Sequence, residues 1–235
     1  MNRPAAGFVV SCEHAGNQVP AQFAAAFDSK QAAHWLNSHR GYDPGALAAA
    51  TEFASALQVE LIASKTTRLL VDLNRSVDND QLLSQFSRRL PSDVRAEILA
   101  GFYHPYRQRV CDAVTSTISE FGRAIHLSIH TFTPRIRGQW RPIDIGLLFD
   151  PDRELERRFC EVWQRGMQRC HPRRRTVMNQ PYAGTDDGFT LALRRQFRPQ
   201  DYLGIEVEIS NRYFKCNPGT QHQVVAALIQ TLPSL

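Results

Sequence analysis

The sequence lacks the features that mark several large classes of protein. No apolar run approaches the roughly 20 residues that a bilayer-spanning helix needs, so no membrane partner is expected. The opening stretch "MNRPAAGFVVSCEHAG" holds an apolar segment too short for a signal-peptide core, and the location it suggests is cytoplasmic. The five cysteines (Cys12, Cys111, Cys160, Cys170, Cys216) are odd in number and contain no CxxC pair. That argues against both a disulfide framework and a thiolate zinc site, and leaves buried free thiols as the expected state. No HExxH or HxxE spacing is present, so no compact metal motif stands out. There is also no repeat, low-complexity tract or linker, and 235 residues suit a single domain spanning 1–235.

Lysine is scarce too. Of 28 basic residues only Lys30, Lys65 and Lys215 are lysine, in a chain of net charge +5. The remainder are arginines, whose planar forks suit carboxylates and phosphates. The densest cluster, "RGMQRCHPRRR" from Arg165 to Arg175, has no interleaved aromatic and is followed by no nucleic-acid-binding motif. It reads as a solvated surface, and no nucleic-acid partner is expected.

What the sequence does contain is an alternation of strand-like and helix-like segments, which argues for layered α/β. Strands are expected at Phe8–Cys12, Val59–Ala63, Arg68–Leu73, Ile125–His130, Ile143–Phe149, Arg175–Met178 and Leu203–Ile209. Helices are expected at Pro44–Leu57, Ser92–Phe121, Arg153–Gln168 and Gln221–Leu232. Asp43 and Pro44 fit the N-cap and first helical position of the first of these. Pro105 should kink or break the second near Tyr103-His104. The fold class is therefore α/β, a three-layer α/β/α arrangement with a central mixed sheet.

Four of these segments end in reactive groups: Glu13-His14; Arg68, Asp72, Asn74 and Arg75 in "TTRLLVDLNR"; His126 and His130 in "AIHLSIHTFTP"; and Glu206 and Glu208 in "YLGIEVEISN". Together they contain zinc-type ligands, a candidate base and arginines for an anionic substrate. Each also has a plain structural use. A histidine ending a strand is commonly a satisfied, partly buried residue. Period-2 alternation puts Glu206 and Glu208 on one face, as an exposed edge strand would. Spacing alone leaves metal site and structural use both open.

The segments "SCEHAGNQVP", "YDPGA", "TRLLVDLNR", "YHPY", "IHTFTP", "DIGLLFD", "NQPYAGTDDG" and "GIEVEI" together resemble the N-formylglutamate amidohydrolase family, itself similar to the zinc carboxypeptidase and aspartoacylase superfamily. The resemblance implies a zinc-carboxypeptidase-like fold and a metal-dependent amidohydrolase. The expected reaction is cleavage of the amide C–N bond of a small anionic N-acyl amino acid such as N-formylglutamate by zinc-activated water. It further implies His14 and His130 as ligands of Zn2+ or another divalent ion, Arg68 at the oxyanion, Asn74 and Arg75 on a substrate carboxylate, and Glu208 as general base. One position departs from the superfamily pattern: where a Glu ligand belongs, this chain has Asn17, a poor zinc ligand. Asp43 is the replacement candidate, with N-capping as its competing use, and Glu13 is a third option. His104, Tyr106, Asn179 and Tyr182 stand in family-like motifs with structural uses as plausible as catalytic ones. Two rival functions stay open: a zinc amidase or carboxypeptidase acting on a larger peptide or cell-wall fragment, and a metal-free binder of a small carboxylate. Oligomeric state is not legible.

Overall fold

A computed structural model describes residues 6–136, 138–216 and 218–233, with backbone only for Lys215, Cys216 and Pro218. Six strands form one mixed sheet in the order β2-β1-β3-β8-β6-β7. They are β1 (Gly7–Cys12), β2 (Leu61–Ala63), β3 (Ala124–Phe132), β6 (Ile145–Leu148), β7 (Thr176–Met178) and β8 (Tyr202–Ser210). Neighbours run parallel except β6 against β8. A small antiparallel pair, β4 (Arg135–Ile136) and β5 (Gln139–Trp140), stands apart within the loop "TPRIRGQWRP".

The two faces of the sheet carry different helices. One buries α2 (Ala46–Leu57), α5 (Glu154–Cys170) and α8 (Pro218–Gln230) against Val10, Cys12, Ile125, Leu127, Ile129, Ile205, Val207 and Ile209. The other is covered by α4 (His104–Phe121), α6 (Phe189–Gln196) and the 3₁₀ segment Ala21–Phe27, packed with Val9, Ala124 and Tyr202. Successive strand residues point to opposite faces. The alternate residues Ser11 and Glu13, His126, Ser128 and His130, and Glu206 and Glu208 therefore all project from the α4/α6 face. From β1 the chain passes through α2 to β2 on one side, and returns through α3 (Ser92–Ile98) and α4 to β3 on the other. The carboxyl ends of β1 and β3 thus flank a topological switch point, where open α/β sheets bind ligands.

Several expectations need correction. Arg68–Leu73 is not a strand: Leu70 N–H donates to Thr67 C=O in a turn. Leu69, Leu70, Val71 and Leu73 are nonetheless buried, so the apolar run reflects a packed turn rather than a ladder. The strand "GIEVEI" is no exposed edge, since β8 lies between β3 and β6 and every residue of it is buried. Asp43 does not cap α2. The N-cap is Gly45 at φ 91°, with no side-chain capping bond, and a Cβ there would strike the Phe214 ring. The long helix at Ser92–Phe121 passes through a π turn at Leu99–Tyr103 and resumes at His104, so the break falls where Pro105 places it. Among the described residues, three α-helices went unforeseen: α1 (Lys30–Leu36), capped by Ser29, α6, and α7 (Arg212–Cys216). Of the cysteines, Cys12 and Cys160 are buried free thiols, Cys111 is half-buried and Cys170 is exposed. Cys216 lies outside the described side chains. Among the described residues, no helix is long and apolar enough to cross a membrane.

Candidate metal centre and its cavity

His14, Asp43 and His130 come from three separate segments and meet beside a cavity of about 190 Å³ at the sheet's carboxyl edge. β1 ends at Cys12 and the chain turns at Glu13, so His14 swings over the strand end rather than continuing the pleat. Asp43 reaches the same place because its N–H donates to the His14 carbonyl at 3.0 Å. The geometry of Gly45 lets α2 begin without using the Asp43 side chain. His130 stands near the end of β3, directly opposite Glu208 of β8 in register.

Asp43 Oδ2 lies 2.9 Å from His130 Nδ1 and 3.4 Å from His14 Nδ1. One nitrogen from each imidazole and one carboxylate oxygen all lie within 4.8 Å of one another. Tetrahedral zinc with bonds of about 2.0–2.1 Å needs ligand atoms about 3.3 Å apart. His14 Nδ1 is buried and has no hydrogen-bond partner, which is the state of a donor atom that serves something other than the protein. Two imidazoles and a carboxylate are the donor set of a three-ligand catalytic zinc site. These residues fit a divalent ion. The opposite edges of the two rings are held: His14 Nε2 lies 2.7 Å from Asp72 Oδ1, and His130 Nε2 lies 2.9 Å from Ser128 Oγ and 3.2 Å from Glu13 Oε2.

The charges respond to this packing. Burial opposes protonation of His130, but Asp43 and Glu13 outweigh it and hold the imidazole well above its ordinary value. Burial alone would raise the Asp43 carboxyl, yet His14, His130 and Arg68 keep it below the usual carboxylate range. Glu208 goes the other way. Burial, with the charges of Asp43 and Glu206, pushes it up to about 8 against the pull of His130 and Arg68. Its Oε2 is buried without a partner. Gly146 lies opposite Glu208 on β6, and a Cβ there would strike the Gln180 carbonyl. Its bare backbone lets the loop carrying Tyr182 close over the cavity.

The remaining expected residues are placed as follows. Arg68 lines the cavity, with Nη2 donating to Asp72 Oδ2 at 2.6 Å and Nη1 to Asp43 Oδ1 at 3.3 Å. Asn74 and Arg75 line it too. Asn74 Oδ1 accepts from Phe189 N–H at 2.7 Å, and Arg75 Nη1 donates to the Asp187 carbonyl at 2.6 Å. Arg75 Nε is buried without a partner. Glu206 lines the cavity and accepts from Thr190 Oγ1 at 2.6 Å. Asn17 is elsewhere, its amide donating to the Leu36 carbonyl. Glu13 belongs to neither the cavity lining nor the three-residue cluster. His104 is exposed on α4 and does not line the cavity, and Asn179 Oδ1 accepts from the Phe149 N–H just after β6 and from the Gly184 N–H of its own loop. Tyr182 stands at the cavity mouth, where Arg141 donates to its hydroxyl.

Sequence reasoning named Asp72 among the reactive groups without giving it a separate role, and singled out none of Asp187, Ser11 and Ser128. Asp72 carried the clearest signal, two residues before Asn74 in a segment already singled out. Asp187 accepts from Ser76 N–H and Asn79 Nδ2, tying the loop before α6 to the one that carries Arg75. Nothing local in "GTDDG" foretells that pairing.

The profile of the N-formylglutamate amidohydrolase family matches residues 6–214. Among solved structures, a gene product of Agrobacterium tumefaciens is 26% identical with a TM-score of 0.79, over 97% of this chain and 89% of its own. N-formylglutamate amidohydrolase from Ralstonia eutropha JMP134 is 18% identical with a TM-score of 0.68, over 97% and 92%, and at that identity speaks for the fold. No curated protein matches the chain.

Proposed function

The chain belongs to the N-formylglutamate amidohydrolase family, and from that premise we propose that it is a single-domain, metal-dependent hydrolase of the amide C–N bond in a small N-acyl amino acid such as N-formylglutamate. His14, Asp43 and His130 would hold the ion, with zinc the expected metal. When bound, the ion supplies Lewis acidity toward water and the acyl carbonyl.

The chain's own groups supply the rest. Glu208 takes the proton from the attacking water and delivers it to the departing nitrogen, a task suited to a carboxylate whose proton affinity burial has raised. Arg68, kept in place by Asp72 and Asp43, donates toward the oxygen on which charge develops. Asn74 and Arg75 anchor the α-carboxylate, so that remote binding orients the scissile bond. Tyr182 closes the mouth.

The observation that carries this reading is the meeting of two imidazoles and a carboxylate, one imidazole nitrogen unpartnered, beside a buried glutamate with a free oxygen. The modest cavity favours a small substrate over a peptide or cell-wall fragment. The direct test is release of glutamate and formate from N-formylglutamate by purified protein, before and after chelation and on return of zinc. Activity indifferent to chelation removes the metal from the account, and no turnover of any N-acyl amino acid removes the reaction.

A further inference from the structure

Glu13 is only 1% exposed and does not line the cavity, yet polar side chains surround its carboxylate where water would otherwise stand. Ser11 Oγ donates to Oε1 at 2.7 Å and Tyr106 OH lies 2.9 Å from the same oxygen. Ser128 Oγ donates to Oε2 at 2.6 Å, and His130 Nε2 lies 3.2 Å from Oε2. A buried charge of this kind is costly unless several donors satisfy it. The fold has gathered four.

Counting hydrogens fixes their direction. A serine hydroxyl has one hydrogen, and that of Ser128 is spent on Glu13. The 2.9 Å contact between Ser128 Oγ and His130 Nε2 must then be donated by the imidazole. His130 Nε2 is thereby committed to donating toward Ser128 and Glu13, and Nδ1, 2.9 Å from Asp43 Oδ2, is the nitrogen left to face an ion. The same count runs upstream. The hydrogen of Ser11 is spent on Glu13, so the 2.8 Å contact with His126 requires an Nε2–H on that ring. His126 Nδ1 then accepts from Tyr202 OH at 2.8 Å. One assignment satisfies these serine and histidine contacts, with hydrogens pointing toward Glu13 from both ends: from Tyr202 through His126 and Ser11, and from His130 directly and through Ser128.

We propose that Glu13 is a positioning residue for the metal centre. Through Ser128 and by direct attraction it fixes the tautomer and ring plane of His130, so that Nδ1 is the ligand atom, and it does not itself touch the ion. This explains why a carboxylate stands at the end of a buried strand immediately before a ligand histidine. The inference rests on the metal reading above. Carboxylate partners of ligand imidazoles orient the ring and raise its basicity, and their loss typically weakens metal binding about 10- to 100-fold.

The test measures binding and tautomer rather than turnover. Zinc titration of the ion-free protein should show Glu13→Gln weakened by about 10- to 100-fold, and the cobalt(II)-loaded variant should have an altered visible spectrum. Ser128→Ala should lose less, because Glu13 Oε2 remains near Nε2. Should Glu13→Gln fail to fold, long-range 1H–15N spectra of the zinc-loaded wild type decide the matter. The expected result is a proton on His130 Nε2 and a metal-shifted Nδ1. A folded Glu13→Gln with wild-type zinc affinity, or a wild-type His130 protonated on Nδ1, overturns the inference while leaving the metal site standing. A wild type that binds no zinc overturns both.

Discussion

Glu208 on β8 lies opposite His130 on β3 in register, so a buried carboxylate with an unpartnered oxygen sits beside an imidazole of the candidate metal centre. Glu206 is two residues back on the same face, roughly 7 Å along the strand, and is bonded to Thr190. Only one of the two can serve a water at the centre. Glu208→Gln should keep the metal and bind substrate within a few fold of wild type. It should lower kcat by about 10² to 10⁴, the usual worth of a positioned acid or base, and Glu206→Gln should lower it less. Loss of metal in Glu208→Gln would make the residue a ligand and break the assignment of Asp43.

The raised proton affinity of Glu208 also has a signature in stability. In the ion-free protein its carboxyl titrates at about 8, above the 4.5 of an ordinary glutamate. The folded state therefore binds the proton more tightly than the unfolded state. The stability this contributes is complete below pH 4.5 and is lost as pH rises through about 8. Denaturant titrations of ion-free wild type and Glu208→Gln, compared across pH 4 to 9, should show the wild type losing ground to the variant over that window. A difference that does not change with pH would show that Glu208 titrates as an ordinary carboxylate.

Arg75 offers a free Nε beside the cavity while Nη1 holds the Asp187 carbonyl. Arg75→Ala should weaken binding of substrates with a free α-carboxylate by about 2–5 kcal/mol, the cost of truncating one partner of a desolvated charge pair. Their α-carboxamide analogues should be affected far less. Equal losses on both would assign Arg75 to holding the loop rather than the substrate.

Away from the site, Arg194 of α6 is 5% exposed and paired with Glu156, which is wholly buried. Its other nitrogens donate to the Gly184 and Gly204 carbonyls, linking β8, α5 and the loop over the cavity. Glu156→Ala leaves the guanidinium buried without its counter-charge and should cost about 3–5 kcal/mol of stability. A change within about 0.5 kcal/mol, the range of ordinary surface substitutions, would show that the site relaxes or admits water.

The layered fold was legible because short apolar segments alternate with longer segments of helical period, and that alternation survives in the sequence. What failed did so where tertiary packing replaced local signals. The run "LLVDL" looks like a strand but is a turn whose apolar residues all reach one core. "FTLALRRQ" follows Gly188 with no side-chain cap, so α6 had no start signal. Glu206 and Glu208 suited an edge strand, since a sequence does not reveal which strands flank a segment. Of the candidate site, His14, Asp43 and His130 were each visible, and the structure brings them together. Asn17 was visible as a departure, and the chain places it against Leu36 instead. The network around Glu13 was beyond reach, because it joins Ser11, Tyr106, Ser128 and His130 across distant segments, with Ser128 115 residues from Glu13 and His130 farther still.

The central claim, that this chain is a metal-dependent amidohydrolase built on His14, Asp43 and His130, is tested most directly by elemental analysis of wild type and of His14→Ala and His130→Ala after extensive dialysis, each assayed on N-formylglutamate. The account expects one zinc or other divalent ion per wild-type chain, substoichiometric metal in both variants with the fold retained by circular dichroism, and hydrolysis lost in parallel. Stoichiometric metal in both folded variants, or full hydrolysis by variants that have lost it, would contradict the account.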